Sequence, residues 1–81
     1  MKLPRNLSGT QLIKALEKLG YKLTRQTGSH VRLSSLQPKE HHLTVPLHDP
    51  LRIGTLAAIL ADVAAHHAMT REALIAKLFG K

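Results

Sequence analysis

The hydrophobic spacing of this chain switches from a helical to a strand period at Gly20, and that switch restricts the folds open to it. Before it, Leu12, Ile13, Leu16 and Leu19 recur at helical spacing, with Lys14, Glu17 and Lys18 on the wet side. Ser8 and Gln11 have capping-box spacing, and Leu7 with Leu12 can form a hydrophobic staple across the same start. Gly20 stands where a left-handed C-cap belongs. These signals predict a helix near residues 9–19.

From Tyr21 the period is two. Tyr21, Leu23 and Arg25 alternate with Lys22, Thr24 and Gln26, which predicts a strand near 21–26 that ends at Thr27-Gly28-Ser29. Val31 and Leu33 alternate with His30, Arg32 and Ser34 in a second strand near 30–34. Gly28 supplies the positive φ that a three-residue hairpin loop needs. After a loop from Ser35 to His41, Leu43 and Val45 alternate with His42 and Thr44 in a third strand near 42–46, ended by Pro46. A polar connector, Leu47 to Arg52, leads to Gly54-Thr55, where Thr55 can cap a helix near 55–66 with Leu56, Ile59, Leu60 and Val63 inward. Thr70 caps a short third helix with Leu74, Ile75 and Leu78 inward, and Gly80 ends it.

The order is α-β-β-β-α with a short additional C-terminal helix, an α+β fold. A three-stranded antiparallel sheet is covered by helices on one face, in a single domain over residues 1–81. The helix-facing side collects Leu23, Val31, Leu33, Leu43 and Val45, and Leu16, Leu33, Val45 and Ile59 are expected among the most buried positions. If Gln26 pairs with His30 across the turn, Thr24 faces Arg32 and Lys22 faces Ser34 on the wet side. That topology resembles the double-stranded-RNA-binding domain, although topology alone assigns no activity.

Charge narrows the partners. Twelve Lys and Arg against five Asp and Glu give the 81 residues a net charge of +7. A surplus of this size favours polyanions, either nucleic acid or an acidic protein. Tyr21 and Phe79 are the only aromatic residues apart from the histidines, so aromatic base-stacking platforms are not expected and nucleic-acid contact should run through phosphate and sugar. There is no cysteine, hence no disulfide and no thiolate metal site, which fits a reducing compartment. No apolar run approaches the ~18 residues of a membrane span, and the opening MKLPRNLSG lacks the apolar core of a signal peptide. A soluble cytoplasmic protein without membrane partners is expected.

The segment Arg25-Gln26-Thr27-Gly28-Ser29-His30 carries the clearest chemistry. It sets an imidazole, which can take or give a proton near neutrality, at the start of a strand between Arg25 and Arg32. Guanidinium groups pair with phosphate, so the surroundings suit a phosphodiester. By residue type and position alone, a solvated strand-edge histidine is the simpler reading of His30. His48, in the connector beside Asp49, is as readily a loop hydrogen-bonding group as a second proton-transfer group.

Several segments together resemble the HicA (YcfA-type) toxins of bacterial and archaeal toxin–antitoxin systems. They are the helix Leu12-Ile13-Lys14-Ala15-Leu16-Glu17-Lys18-Leu19-Gly20-Tyr21, the turn Arg25 to His30, Leu43-Thr44-Val45-Pro46-Leu47-His48, and Gly54-Thr55-Leu56 with Ile59-Leu60. They stand in the family's order over about residues 7 to 63. The resemblance implies a small ribonuclease that cleaves mRNA without a metal or other cofactor, with His30 as catalytic residue. It also implies a HicB-type antitoxin that silences it, and it reverses the balance for His30. Many members carry a second histidine after the catalytic one; here Val31 stands there. Members also tend to leave the second helix through a glycine turn, whereas Ala64-Ala65-His66-His67-Ala68 has no glycine.

On this reading His30 acts as base or acid. Lys22, Arg25 and Arg32 hold phosphates, and Gly28, Ser29 and His48 line the RNA-binding surface. A metal site is not expected. His41 and His42 point to opposite faces of a strand, His66 and His67 diverge by ~100° on a helix, and no carboxylate or cysteine completes a set with either pair. Two rivals remain: a non-catalytic RNA-binding module of the same fold, and a basic adaptor for an acidic protein.

Overall fold

A computed structural model of the protein describes residues 6–36 and 39–80. The first residues of the opening segment and Gln37-Pro38 of the expected 35–41 loop lie outside the described residues. Helix α1 spans Gly9–Leu16 and continues as a 3₁₀ turn over Glu17–Leu19. Strands β1 (Lys22–Thr27), β2 (His30–Ser35) and β3 (His41–Pro46) follow, then α2 (Ile53–His66) and α3 (Arg71–Phe79). The strands form one antiparallel sheet in the order β1-β2-β3. The α+β arrangement expected from the sequence is the one observed. Among the described residues no single helix is long and apolar enough to cross a membrane.

Local chemistry accounts for the boundaries. The Ser8 hydroxyl accepts from the Gln11 amide at 3.1 Å, and the Gln11 side chain accepts from the Ser8 amide at 2.9 Å. That reciprocal pair fixes the start of α1. Gly20, at φ +89°, ends its last turn in the left-handed region. Thr70 caps α3 through the Ala73 amide at 3.1 Å. Thr55, by contrast, caps nothing. Helix α2 begins two residues earlier, with Arg52 as an N-cap that makes no side-chain bond. At its far end the missing glycine is replaced by Ala68 at φ +53°, and the Met69 amide reaches back to the Ala64 carbonyl at 2.9 Å. Helix α2 therefore closes like a glycine-ended helix, on a residue that holds this backbone less readily.

Leu12, Leu16, Val31, Leu33, Val45, Leu56, Leu60, Val63, Leu74 and Leu78 fill the core and are almost fully buried. Two expected core positions are not there. Ile59 is half-buried, because the inward stripe of α2 runs through Leu56, Leu60, Val63 and Ala64. Leu23 is 55% exposed. The helices pack over the β3 side of the sheet and leave the outer strand β1 uncovered on both faces, so alternation there reports no burial.

A polar knot closes the core at the β3–α2 corner. The buried Tyr21 hydroxyl lies 2.6 Å from His41 Nδ1 and 3.1 Å from His67 Nε2. His41 Nε2 is 3.3 Å from Asp62 Oδ1, and the His41 ring stacks on His66 with centroids 4.2 Å apart. His66 Nε2 donates to the Lys39 carbonyl at 2.9 Å. One assignment satisfies every contact with neutral rings: His67 Nε2–H donates to Tyr21, Tyr21 to His41 Nδ1, and His41 Nε2–H to Asp62. Burial, reinforced by Asp62, pushes the Tyr21 phenol up to about 12, so it keeps its proton at neutral pH.

Burial holds His67 below the ordinary imidazole value of 6.5, with the neighbouring His66, His41 and Lys77 acting in the same direction. The unfolded chain then binds this proton more readily than the fold. Stability is complete above about pH 6.5 and falls as pH drops through the folded value. Thermal melts from pH 7.5 to 5 should show the midpoint falling below pH 6.5, with a shallower slope in His67→Gln, which keeps a donor for Tyr21. An identical slope in the variant would exclude His67 as the source.

Candidate nucleic-acid interface

The helix-free face of the sheet follows from the register. Thr27 pairs with His30, which leaves only Gly28 and Ser29 in the turn. The expected three-residue loop is therefore a two-residue one, and Gln26 faces Val31 rather than His30. Gly28 has φ +58° and Ser29 a negative φ, the sign pattern of a type II′ hairpin turn. A Cβ on Gly28 would meet nothing within 4 Å, so the turn stands open to solvent.

The register shifts between Leu23 and Arg25, where Thr24 forms a bulge in β1. Arg25 consequently pairs with Arg32, the place expected for Thr24, while Lys22 still faces Ser34. Strict alternation puts Arg25 on the face of Leu23. The bulge transfers it to the face of His30 and Arg32, because directly paired residues share a face. On the same side β3 supplies Pro46, Thr44 and His42, paired with His30, Arg32 and Ser34. Val31 is buried on the opposite side, so His30 is the one histidine that this stretch of β2 presents.

The open face is thus graded. At the hairpin end His30 is exposed and makes no hydrogen bond or ion pair with another described residue. Next come Arg25 and Arg32, side by side and roughly 7 Å along the strand from His30. Lys22 lies further on. Such a row can hold successive phosphates, with an imidazole at one end able to take or give a proton. Among the described residues Lys22, Arg25 and Arg32 make no ion pair with a carboxylate, and Glu40, at the far end of this face, is bonded to His42 instead.

His48 is placed differently. The Leu47 amide donates to the Ser29 carbonyl at 2.6 Å, which carries the connector alongside the hairpin turn. The His48 carbonyl then accepts from the Gly9 amide at 2.9 Å. The backbone of His48 thereby serves the start of α1 while its ring stays exposed. Gly9 itself, unmarked in the sequence reading, is where α1 meets this connector most closely: a Cβ there would overlap the Pro46 carbonyl.

At the opposite end of the face lies a chain that spacing alone did not single out. The Thr24 hydroxyl is 3.3 Å from Ser34 Oγ, Ser34 Oγ is 2.5 Å from His42 Nδ1, and His42 Nε2 is 2.7 Å from Glu40 Oε2. The Ser34–His42 pairing was legible once the register was known. His41, on the other side of β3, belongs to the Tyr21 knot, so the two adjacent histidines do face apart as expected. Among the described residues no group of three or more His, Cys, Asp or Glu could hold a metal ion.

Compared with known proteins, residues 9–64 match the family model described as HicA toxin of bacterial toxin-antitoxin. That span runs from the first residue of α1 almost to the end of α2 and includes the whole sheet. No curated protein and no solved structure matches the chain.

Proposed function

Because the chain belongs to the HicA family of toxins from bacterial toxin–antitoxin systems, we propose that it is an mRNA-cleaving endoribonuclease, with His30 as its proton-transfer residue and a HicB-type antitoxin as its inhibitor. The observation that carries this reading is the open face itself: an exposed His30 in line with paired Arg25 and Arg32, inside the segment the family model matches. The 2′-hydroxyl of a bound nucleotide attacks the adjacent phosphorus as its proton leaves to a base. The new 2′-O–P bond displaces the 5′-oxygen, which takes up a proton to leave as an alcohol. His30 serves one of these transfers. Arg25, Arg32 and Lys22 hold the phosphates and offset the charge gathering on the phosphoryl oxygens, and the open Gly28-Ser29 turn lets the backbone of the RNA come close. No step requires a metal. DNA, which lacks the 2′-hydroxyl, is spared.

One observation favours a second reading. His30 has no orienting partner among the described residues, as would suit a module that binds RNA and leaves it whole.

RNA must reach the wet face, so an inhibitor acts most directly by covering it with carboxylates that meet the cations. Arg32→Glu should therefore lower RNA cleavage and antitoxin affinity together. Wild type should cut an RNA oligonucleotide and leave the DNA of the same sequence intact, with binding that weakens as salt rises. Equal cleavage of DNA would exclude the 2′-hydroxyl route. An Arg32→Glu protein that loses cleavage but keeps its antitoxin affinity would exclude a shared surface.

A further inference from the structure

We propose that the cavity at the end of the sheet remote from the hairpin turn is a base-reading subsite, one that selects a nucleotide carrying an amino group and so sets where the RNA is cut. This rests on the ribonuclease reading given above. The cavity has a volume of about 500 Å³ and is walled by Leu19 and Leu36, with Lys22, Thr24 and Ser34 on its polar side. Leu36, 72% exposed, leaves one of these walls open to solvent. Two aliphatic walls facing a lysine and two hydroxyls suit a flat heterocycle attached to a phosphate.

The direction of the hydroxyls gives the selectivity. Glu40 can only accept, so the hydrogen of a neutral His42 sits on Nε2 and its Nδ1 is left with a lone pair. Ser34 then donates its single hydrogen to Nδ1, at 2.5 Å, and faces the cavity as an acceptor. The Thr24 hydrogen is drawn to Ser34 Oγ or to the Arg32 carbonyl, each 3.3 Å away. Both hydroxyls therefore offer lone pairs. Adenine, cytosine and guanine bring two-hydrogen amino groups that can meet both lone pairs, whereas uracil has a single ring N3–H to give and its exocyclic oxygens would oppose lone pair to lone pair.

The place of the cavity gives it its role. Ser34 lies four residues along β2 from His30, roughly 13 Å, which is too far to act on the same phosphate. A base held there belongs to a nucleotide flanking the scissile one, joined to it across the Arg25 and Arg32 row. The Ser34–His42–Glu40 chain accordingly works on position rather than on the reacting atoms.

The test is cleavage of a randomised RNA pool, sequenced at the cut ends, by wild type, Ser34→Ala and His42→Ala, with folding verified by circular dichroism. Wild type should disfavour uracil at one position a fixed distance from the cut. In Ser34→Ala that discrimination should fall by about threefold to tenfold, the worth of one hydrogen bond. In His42→Ala the serine hydrogen is released, and tolerance of uracil should rise there too. Retention of the same base preference in both folded variants overturns the proposal, as does uniform slowing with the preference unchanged. A wild type that cuts with no base preference overturns it while leaving the ribonuclease reading intact. A wild type that cuts no RNA overturns both.

Discussion

His30→Ala should leave a folded protein that cleaves RNA at least about 100-fold more slowly than wild type, since a positioned proton-transfer group contributes on this scale. The side chain is exposed and makes no bond to another described residue, so its loss should change stability by less than about 0.5 kcal/mol. RNA affinity should stay within a few-fold, because Lys22, Arg25 and Arg32 remain. Expressed alone, wild type should arrest growth and His30→Ala should not. Three measurements on the purified variant separate the cases: a cleavage rate, a melting midpoint and a salt-dependent RNA affinity. Undiminished cleavage by a folded variant removes His30 from the mechanism. Absence of cleavage in wild type, with binding intact, selects the non-catalytic module.

The largest effect on stability is expected at Gly9. A Cβ on this residue would overlap the Pro46 carbonyl oxygen and crowd Leu47 Cα at 3.1 Å. Both neighbours are backbone at the end of β3, and the Gly9 amide is itself bound to His48. Relief requires α1 to move off the sheet, which opens the contact above Leu12 and Leu16. Gly9→Ala should cost about 2–3 kcal/mol, as overpacking of a filled interior does, and lower the melting midpoint by roughly 10 °C or more. Gly54, in the first turn of α2, provides the comparison, since a Cβ there meets nothing within 4 Å. Gly54→Ala should be neutral or stabilise by up to about 1 kcal/mol through the unfolded chain. Similar melting curves for the two variants would show that the close approach at Gly9 is not what limits substitution.

The elements themselves were legible because their signals are local. The Ser8–Gln11 box, the left-handed Gly20 and the Thr70 cap each satisfy backbone groups within a few residues, so spacing along the chain is enough to find them. The alternation in β2 and β3 was equally readable, since helices lie on one side of both strands and divide inward from outward positions. His30 and Arg32 fall on the wet face for that reason alone. Thr55 misled because a good capping residue next to a glycine looks the same whether or not the helix has already begun. Leu23 misled because alternation signals burial only where something covers the strand.

The sequence by itself determined the order of elements, the surplus of positive charge and the pairing of a turn histidine with arginines, and it carried the family resemblance. Tertiary structure decided what depends on contacts between distant residues. The bulge at Thr24 moved Arg25 across the sheet to join Arg32, although nothing in β1 alone marks a register shift. Packing of α1 on the end of β3 left no room for a side chain at Gly9, and the β3–α2 corner gathered Tyr21, His41, His66 and His67 into one knot of hydrogen bonds and stacked rings. Local periodicity reports which side of an element is apolar. Which residues meet across elements is set by register and by the angle of packing, and those belong to the folded chain.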